Sequence, residues 1–285
     1  MCTIATYEPI HVLVRDAAHA QHVRGLLGAA PAGRVMLHEV PTDDSWLRDT
    51  GPTFVADGAG LLAIDWIFDA WGGKYPPWER DARVAERVAA LADVRHLPVS
   101  LVLEGGAIEG DGAGTLMVTR TSVLGRNRAL SQGEIEAQFE ELLGSRRVIW
   151  LDGEVEGDDT DGHIDNLARF VAPGRVVCGS RILREQLEGQ YDARGRLLEV
   201  VELPAPPPFE VDGRPLPASY LNFYLPNDAV VVPCFDVPTD ADALDALAKL
   251  FPGRRAVGVS ARTLVRGFGG PHCLTQQQPA ADTRP

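Results

Sequence analysis

Five segments of this chain share one design, a short polar or glycine-containing motif that runs into an apolar stretch of strand type. They are RDTGPTFV from Arg48, EGGAIEG from Glu104, GHIDNLARFV from Gly162, SYLNFYL from Ser219 and GGPHCLT from Gly269. With Asp49, Glu104, His163, Asn222 and Cys273 as markers, successive copies stand 55, 59, 59 and 51 residues apart. A repeat of that length is one supersecondary unit that cannot bury its apolar face alone, so neighbouring copies must cover one another. Units of strand, strand, helix and strand set about an axis give a propeller-like body, with one equivalent strand of each unit lining a central opening. One polar motif from each unit then converges there. A two-layer α/β sheet whose segments are alike by coincidence is the rival reading, and spacing alone does not separate the two.

Local patterns fit either arrangement. Residues 10–14 (IHVLV) read as a strand, residues 16–27 as a helix capped by Asp16, and residues 35–40 as extended chain. Residues 61–68 (LLAIDWIF) suit a strand, and the spacing of Val84, Val88 and Leu91 predicts a helix over residues 79–92. Ser131 and Glu134 form a capping-box pattern that opens a helix over residues 132–143, followed by a strand over residues 148–151. A further helix is predicted over residues 239–250 and a strand over 256–259. The stretch rich in proline over residues 204–217 reads as a surface loop, which leaves residues 1–285 as a single catalytic domain.

Composition narrows the partners. The chain carries 40 acidic against 27 Lys and Arg residues, a formal charge of -13, which argues against nucleic acid because such binding needs clustered cations to neutralise phosphate. An acidic field favours small cationic ligands. Four cysteines without any C-x-x-C pair suit a reducing compartment, and no apolar run approaches the roughly 18 residues of a membrane helix. The N-terminal residues lack a basic, then long apolar, leader pattern, so a cytoplasmic location is expected.

Chemistry concentrates in Asp158-Asp159-Thr160-Asp161-Gly162-His163-Ile164-Asp165-Asn166. A calcium loop built around Gly162 fails, because Gly157 and Ala168 would fall at its first and bidentate ligand positions. At the start of a strand, His163 and Asp165 point to one face. Alone, such a pair is more often structural than catalytic. Asp49 follows Trp46 and Arg48 in SWLRDTGP, where core packing and a salt bridge are the ordinary explanations; Glu104-Gly105-Gly106 is a common turn. Cys273 follows a glycine-rich stretch that permits close approach of backbone to a ligand, although a lone cysteine is usually a small buried hydrophobe.

Taken together, WLRDTGPTFV, LEGGAIEGDGAGTLMVT, VIWLDGEVEGDDTDGHIDNLARFV, PASYLNFYLPNDAVVVP and GGPHCLTQQQPA resemble the agmatine deiminase branch of the Porphyromonas-type peptidylarginine deiminase family, within the guanidine-modifying superfamily. The resemblance runs from about Tyr7 to the C-terminus with all motifs in order. It implies a five-bladed α/β propeller of pseudo-fivefold symmetry, with a shortened N-terminal segment because the family's Trp-Pro-rich strand before the Tyr7 position is not in this sequence. It also implies Cys273 as nucleophile, His163 as general acid/base, Asp49 and Asp165 as the carboxylates that hold the guanidinium, and Glu104 as the group that orients the histidine. Asp159 matches a position that meets the substrate amine, and Trp46 would lie along the aliphatic chain or offer its π face to a cation. The implied reaction turns agmatine into N-carbamoylputrescine and ammonia through a thiouronium on Cys273, a step towards putrescine, with no metal or organic cofactor. A homo-oligomer is allowed. Two other readings stay open: a peptidylarginine substrate, and a truncated, non-catalytic binder of guanidines or amines. An unrelated thiol hydrolase of papain type is disfavoured, since there the cysteine precedes the histidine.

Overall fold

In the computed structural model, which describes residues 1–28 and 33–280, the repeat is visible as five separate parallel strand pairs. Strands β1 (Ile10–Val14) and β2 (Val35–Glu39) form the first pair. The second sheet holds β3 (Thr53–Asp57), β4 (Gly60–Ile67) and β5 (Arg95–Val102), with β4 central, antiparallel to β3 and parallel to β5. The same plan recurs in β6 (Ile108–Gly110), β7 (Thr115–Thr119) and β8 (Arg147–Leu151), and again in β9 (Ala168–Ala172), β10 (Arg175–Cys178) and β11 (Glu199–Glu202). A hairpin, β12 (Phe209–Val211) with β13 (Arg214–Leu216), precedes the last pair, β14 (Ala229–Cys234) with β15 (Arg255–Ser260). Tyr224 makes an antiparallel bridge to Val231, a remnant of the third strand seen in the other units.

Each parallel pair needs a crossover, and a helix supplies it. Helix Thr239–Leu250 joins β14 to β15 and buries Ala243, Leu247 and Leu250 with Val230 and Val232, the i, i+4, i+7 stripe expected of a helix lying on a sheet. Helix Gln132–Leu143 carries the predicted capping box and buries Ile135 and Phe139 with Leu116 and Val118 of β7. Asp16 caps helix Ala17–Leu27 by accepting from the His19 N–H at 2.8 Å. Every residue of β7 is buried, as a strand covered on both faces requires.

Three local expectations are corrected. The helix predicted over residues 79–92 is a short 3-10 turn, Asp81–Arg83, followed by Val84–Leu91; the buried Asp81 carboxylate accepts from the N–H groups of Asp43 and Asp44, which pins this entry. Leu91, expected on its apolar face, is exposed, and Ala85 and Ala89 are buried instead. Within 204–217 the loop folds back as the β12–β13 hairpin. His163 and Asp165 lie not on a strand but beside and within a 3-10 turn, Ile164–Asn166, that leads into β9. Among the described residues no helix is long and apolar enough to cross a membrane.

Candidate active site

Four of the five marker residues stand before a strand of their unit, and the fifth follows the last pair. Asp49 lies in the short helical turn Leu47–Thr50 before β3, Glu104 stands just before β6, His163 and Asp165 precede β9, Asn222 precedes β14, and Cys273 follows the last pair. All are buried, and they meet. His163 Nδ1 is 3.8 Å from Asp49 Oδ1, its Nε2 is 3.7 Å from Glu104 Oε2, and Cys273 Sγ is 3.7 Å from Asp165 Oδ2. Asn222 ties the last two together: its Nδ2 donates to Cys273 Sγ at 3.0 Å and to Asp165 Oδ2 at 3.2 Å.

Gly106 explains why the Glu-Gly-Gly sequence is more than a turn. A Cβ there would stand 2.6 Å from His163 Nδ1, 2.9 Å from Asp49 Oδ1 and 3.3 Å from Asp165 Oδ2, so three of the candidate side chains crowd over a residue without one. The Gly106 N–H also donates to Asp49 Oδ1 at 2.9 Å. Asp49 Oδ2 accepts from the Trp71 indole at 3.0 Å. Trp71 stands in a left-handed turn, φ 56° and ψ 44°, whose first residue, Ala70, is left-handed too. Such a conformation costs on the order of 1 kcal/mol or more per residue outside glycine, and here Asp69 caps the turn through the Gly72 N–H.

The acidic segment that precedes His163 is mostly structural. Asp158 accepts from the Thr160 and Gly162 N–H groups, and the Thr160 hydroxyl in turn accepts from the His163 N–H at 3.1 Å. Asp161 pairs with Lys74 at 2.8 Å and Arg126 at 2.6 Å. Arg126 also donates to Glu104 at 2.8 Å. Asp159 lies further out, paired with Arg214 at 3.1 Å and accepting from the Tyr75 hydroxyl, while the Tyr75 ring packs edge-on to Trp71. Its carboxylate therefore faces a cation of the protein itself. Trp46 presses against the turn that carries Cys273: a Cβ on Gly269 would fall 2.3 Å from its ring. A Cβ on Gly270 would meet Asn222 Oδ1 at 2.5 Å, so the two glycines admit side chains of the site rather than a ligand.

Charges in this space settle against one another. Burial alone would favour neutral His163, but Asp49, Glu104 and Asp165 override it and hold the imidazolium up to about 9. Burial likewise opposes ionised Glu104, yet His163 and Arg126 bring that carboxyl below its usual range. Asp165 is pushed up to about 6, mainly by burial and further by Asp49. Burial, then Asp165 and Asp49, drive the Cys273 thiol well above its ordinary value. His272 is held neutral by burial and by Arg169 and Arg48, and its Nδ1 lies 2.7 Å from Asp165 Oδ2, placed to donate there. Two buried polar atoms in this core have no hydrogen-bond partner among the described residues, Asp165 Oδ1 and His163 Nε2. The geometry thus offers a thiol, an acid/base and an unpartnered acceptor around one buried point.

Sequence reasoning placed Asp49, Glu104, His163, Asp165 and Cys273 together but assigned nothing to Gly106, Trp71, Arg126 or His272, and used Asn222 only as a marker. For Asn222 the signal was its place in the repeat. The glycine after Glu104-Gly105 was the signal for Gly106.

The sequence model of Porphyromonas-type peptidyl-arginine deiminase matches residues 1–279. Among curated relatives, an agmatine deiminase of Ectopseudomonas mendocina is 39% identical, with 97% of this chain and 84% of that one aligned. Among solved structures, the agmatine deiminase of Enterococcus faecalis superposes with a TM-score of 0.91 at 32% identity, covering 98% of this chain and 85% of its own. A cysteine-to-serine variant of the C. jejuni agmatine deiminase with substrate bound superposes at 0.87 with 27% identity, covering 96% and 83%.

Proposed function

Since this chain belongs to the Porphyromonas-type peptidyl-arginine deiminase family, we propose that it hydrolyses agmatine to N-carbamoylputrescine and ammonia through a thiouronium on Cys273. It is a hydrolase of a guanidino C–N bond. The observation that carries the site assignment is the buried Asp165 Oδ1, which has no hydrogen-bond partner among the described residues, beside the Cys273 thiol. A buried carboxylate oxygen left without a donor is costly, and a guanidinium supplies rigid N–H donors of the opposite charge.

Asp49 and Asp165 hold the planar cation, Trp71 and Gly106 fix Asp49, and His272 and Asn222 fix Asp165. In the free protein the two carboxylates disfavour a thiolate. A bound guanidinium reverses that local charge, so the thiol releases its proton to solvent as the substrate binds, His163 already carrying its own. The thiolate adds to the guanidinium carbon, His163 delivers a proton to the departing nitrogen, and ammonia leaves the thiouronium behind. Neutral His163 then takes a proton from water as it attacks. The C–S bond breaks, giving the ureido product and the free cysteine.

Agmatine is favoured over peptidylarginine by the names of the relatives at 39% and 32% identity, and Asp159, matched to amine recognition, would have to exchange its pairing with Arg214 for the substrate ammonium. We further take the five strand–helix–strand units to form one catalytic domain, a five-bladed propeller about the site, because each contributes one marker residue to it.

Ammonia release from agmatine, arginine and a peptidylarginine, compared between wild type, Cys273→Ala and His163→Ala, tests the assignment. Agmatine turnover that both substitutions abolish is expected. Agmatine bound without turnover of any substrate would establish a binder instead.

A further inference from the structure

Beside the candidate catalytic residues lies a cavity of about 790 Å³ whose walls include Arg48, Arg146, Arg169 and Arg194. Glu109 is the one carboxylate among the described residues that line it, and both its oxygens are engaged, by Arg169 at 2.8 Å and the Phe170 N–H at 2.9 Å. In a chain of net charge -13 this is a local reversal of sign. Arg48, only 4% exposed, donates Nε to the His272 carbonyl at 3.4 Å and Nη1 to Gln276, but its Nη2 has no partner among the described residues. A buried guanidinium N–H without an acceptor carries the full cost of desolvation, which an oxyanion in the cavity would relieve. Arg146 spends one donor on the Ala113 carbonyl at 2.9 Å, and Arg194 is exposed at the rim.

From these residues we propose that the cavity binds a small oxyanion, a carboxylate or a phosphate, held by Arg48 Nη2 from within and by Arg146 and Arg194 from the rim. Its volume is that of a small-molecule site, and the acidic surface of the rest of the chain repels extended polyanions. The site adjoins the nucleophile's turn, since the Arg48 N–H donates to the Cys273 carbonyl at 3.0 Å.

Calorimetric titration of the full chain with inorganic phosphate, and separately with succinate, at ionic strength fixed by sodium chloride, tests this. Saturable binding of one or both is expected, the first alone marking a phosphate site and the second alone a carboxylate site. Arg194→Ala or Arg146→Ala should weaken it roughly tenfold, because each removes a charge-assisted donor. Neither residue belongs to the catalytic machinery, so ammonia release without added anion stays at the wild-type rate, and the binding measurement requires no turnover. Heats no greater than those of chloride, or unchanged affinity in both variants, would overturn the proposal.

Discussion

Gly106 shows how little room the chemistry leaves. His163, Asp49 and Asp165 come from two repeats, and the third repeat that unites them contributes an absence of side chain. Gly106→Ala should therefore leave the fold in place while pushing His163 and Asp49 apart by several tenths of an ångström or more. A displacement near 1 Å at such a centre costs roughly a hundredfold in rate. Steady-state kinetics together with thermal unfolding would check it: kcat is expected to fall far more than stability, and a variant with normal kcat would show that the three side chains do not act as one site. Residues of this kind were only partly legible in the sequence. Charged and nucleophilic types announced Asp49, His163, Asp165 and Cys273, because their side chains are of the kinds that the proposed chemistry needs. Gly106, Trp71 and Arg126 act through a missing Cβ, a left-handed turn and a buried ion pair, none of which has a signature at the level of residue type.

At the scale of elements, periodicity and caps located most helices and strands because a helix on a two-sided sheet must alternate its faces. It failed where a single tertiary contact decides. The β12–β13 hairpin is such a place: read as loop from its prolines, it carries Arg214 to Asp159. Arg214 also stacks over Phe268 at 4.0 Å, so the hairpin is held across to the segment that leads into Cys273. The ion pair with Arg214 competes with any substrate ammonium for Asp159. Removal of the competitor, Arg214→Ala, should lower KM for agmatine, and Asp159→Asn should raise it roughly fivefold, with kcat little changed in either because a remote contact binds ground and transition states alike. A guanidine lacking the terminal amine provides the control. Equal changes in KM for both substrates would remove Asp159 from amine recognition.

For the whole molecule, the repeat was the most legible feature, since five parallel pairs follow from five similar segments. The electrostatic balance was not, because it depends on which charges are buried together. Its consequence is a dependence of stability on pH that the surface charge alone does not give. Folded His163 holds its proton up to about 9, whereas an unfolded histidine loses it near 6.5. The stabilisation is complete below the unfolded value and is lost as pH rises through about 9, on the order of 3 kcal/mol over that window. Asp165, raised to about 6 from an ordinary value of 3.8, acts in the same direction over its own, more acidic interval, because the folded chain retains a proton that the unfolded chain releases. Thermal unfolding of substrate-free wild type and His163→Gln from pH 6 to 9.5 separates the histidine's share. The wild-type advantage should be largest near pH 6 and shrink steadily towards pH 9.5. A constant gap would mean that His163 titrates in the folded protein as it does in the unfolded chain, near 6.5, so that it is mostly neutral above about pH 7.5 and the proton that the departing ammonia requires would have to come from elsewhere.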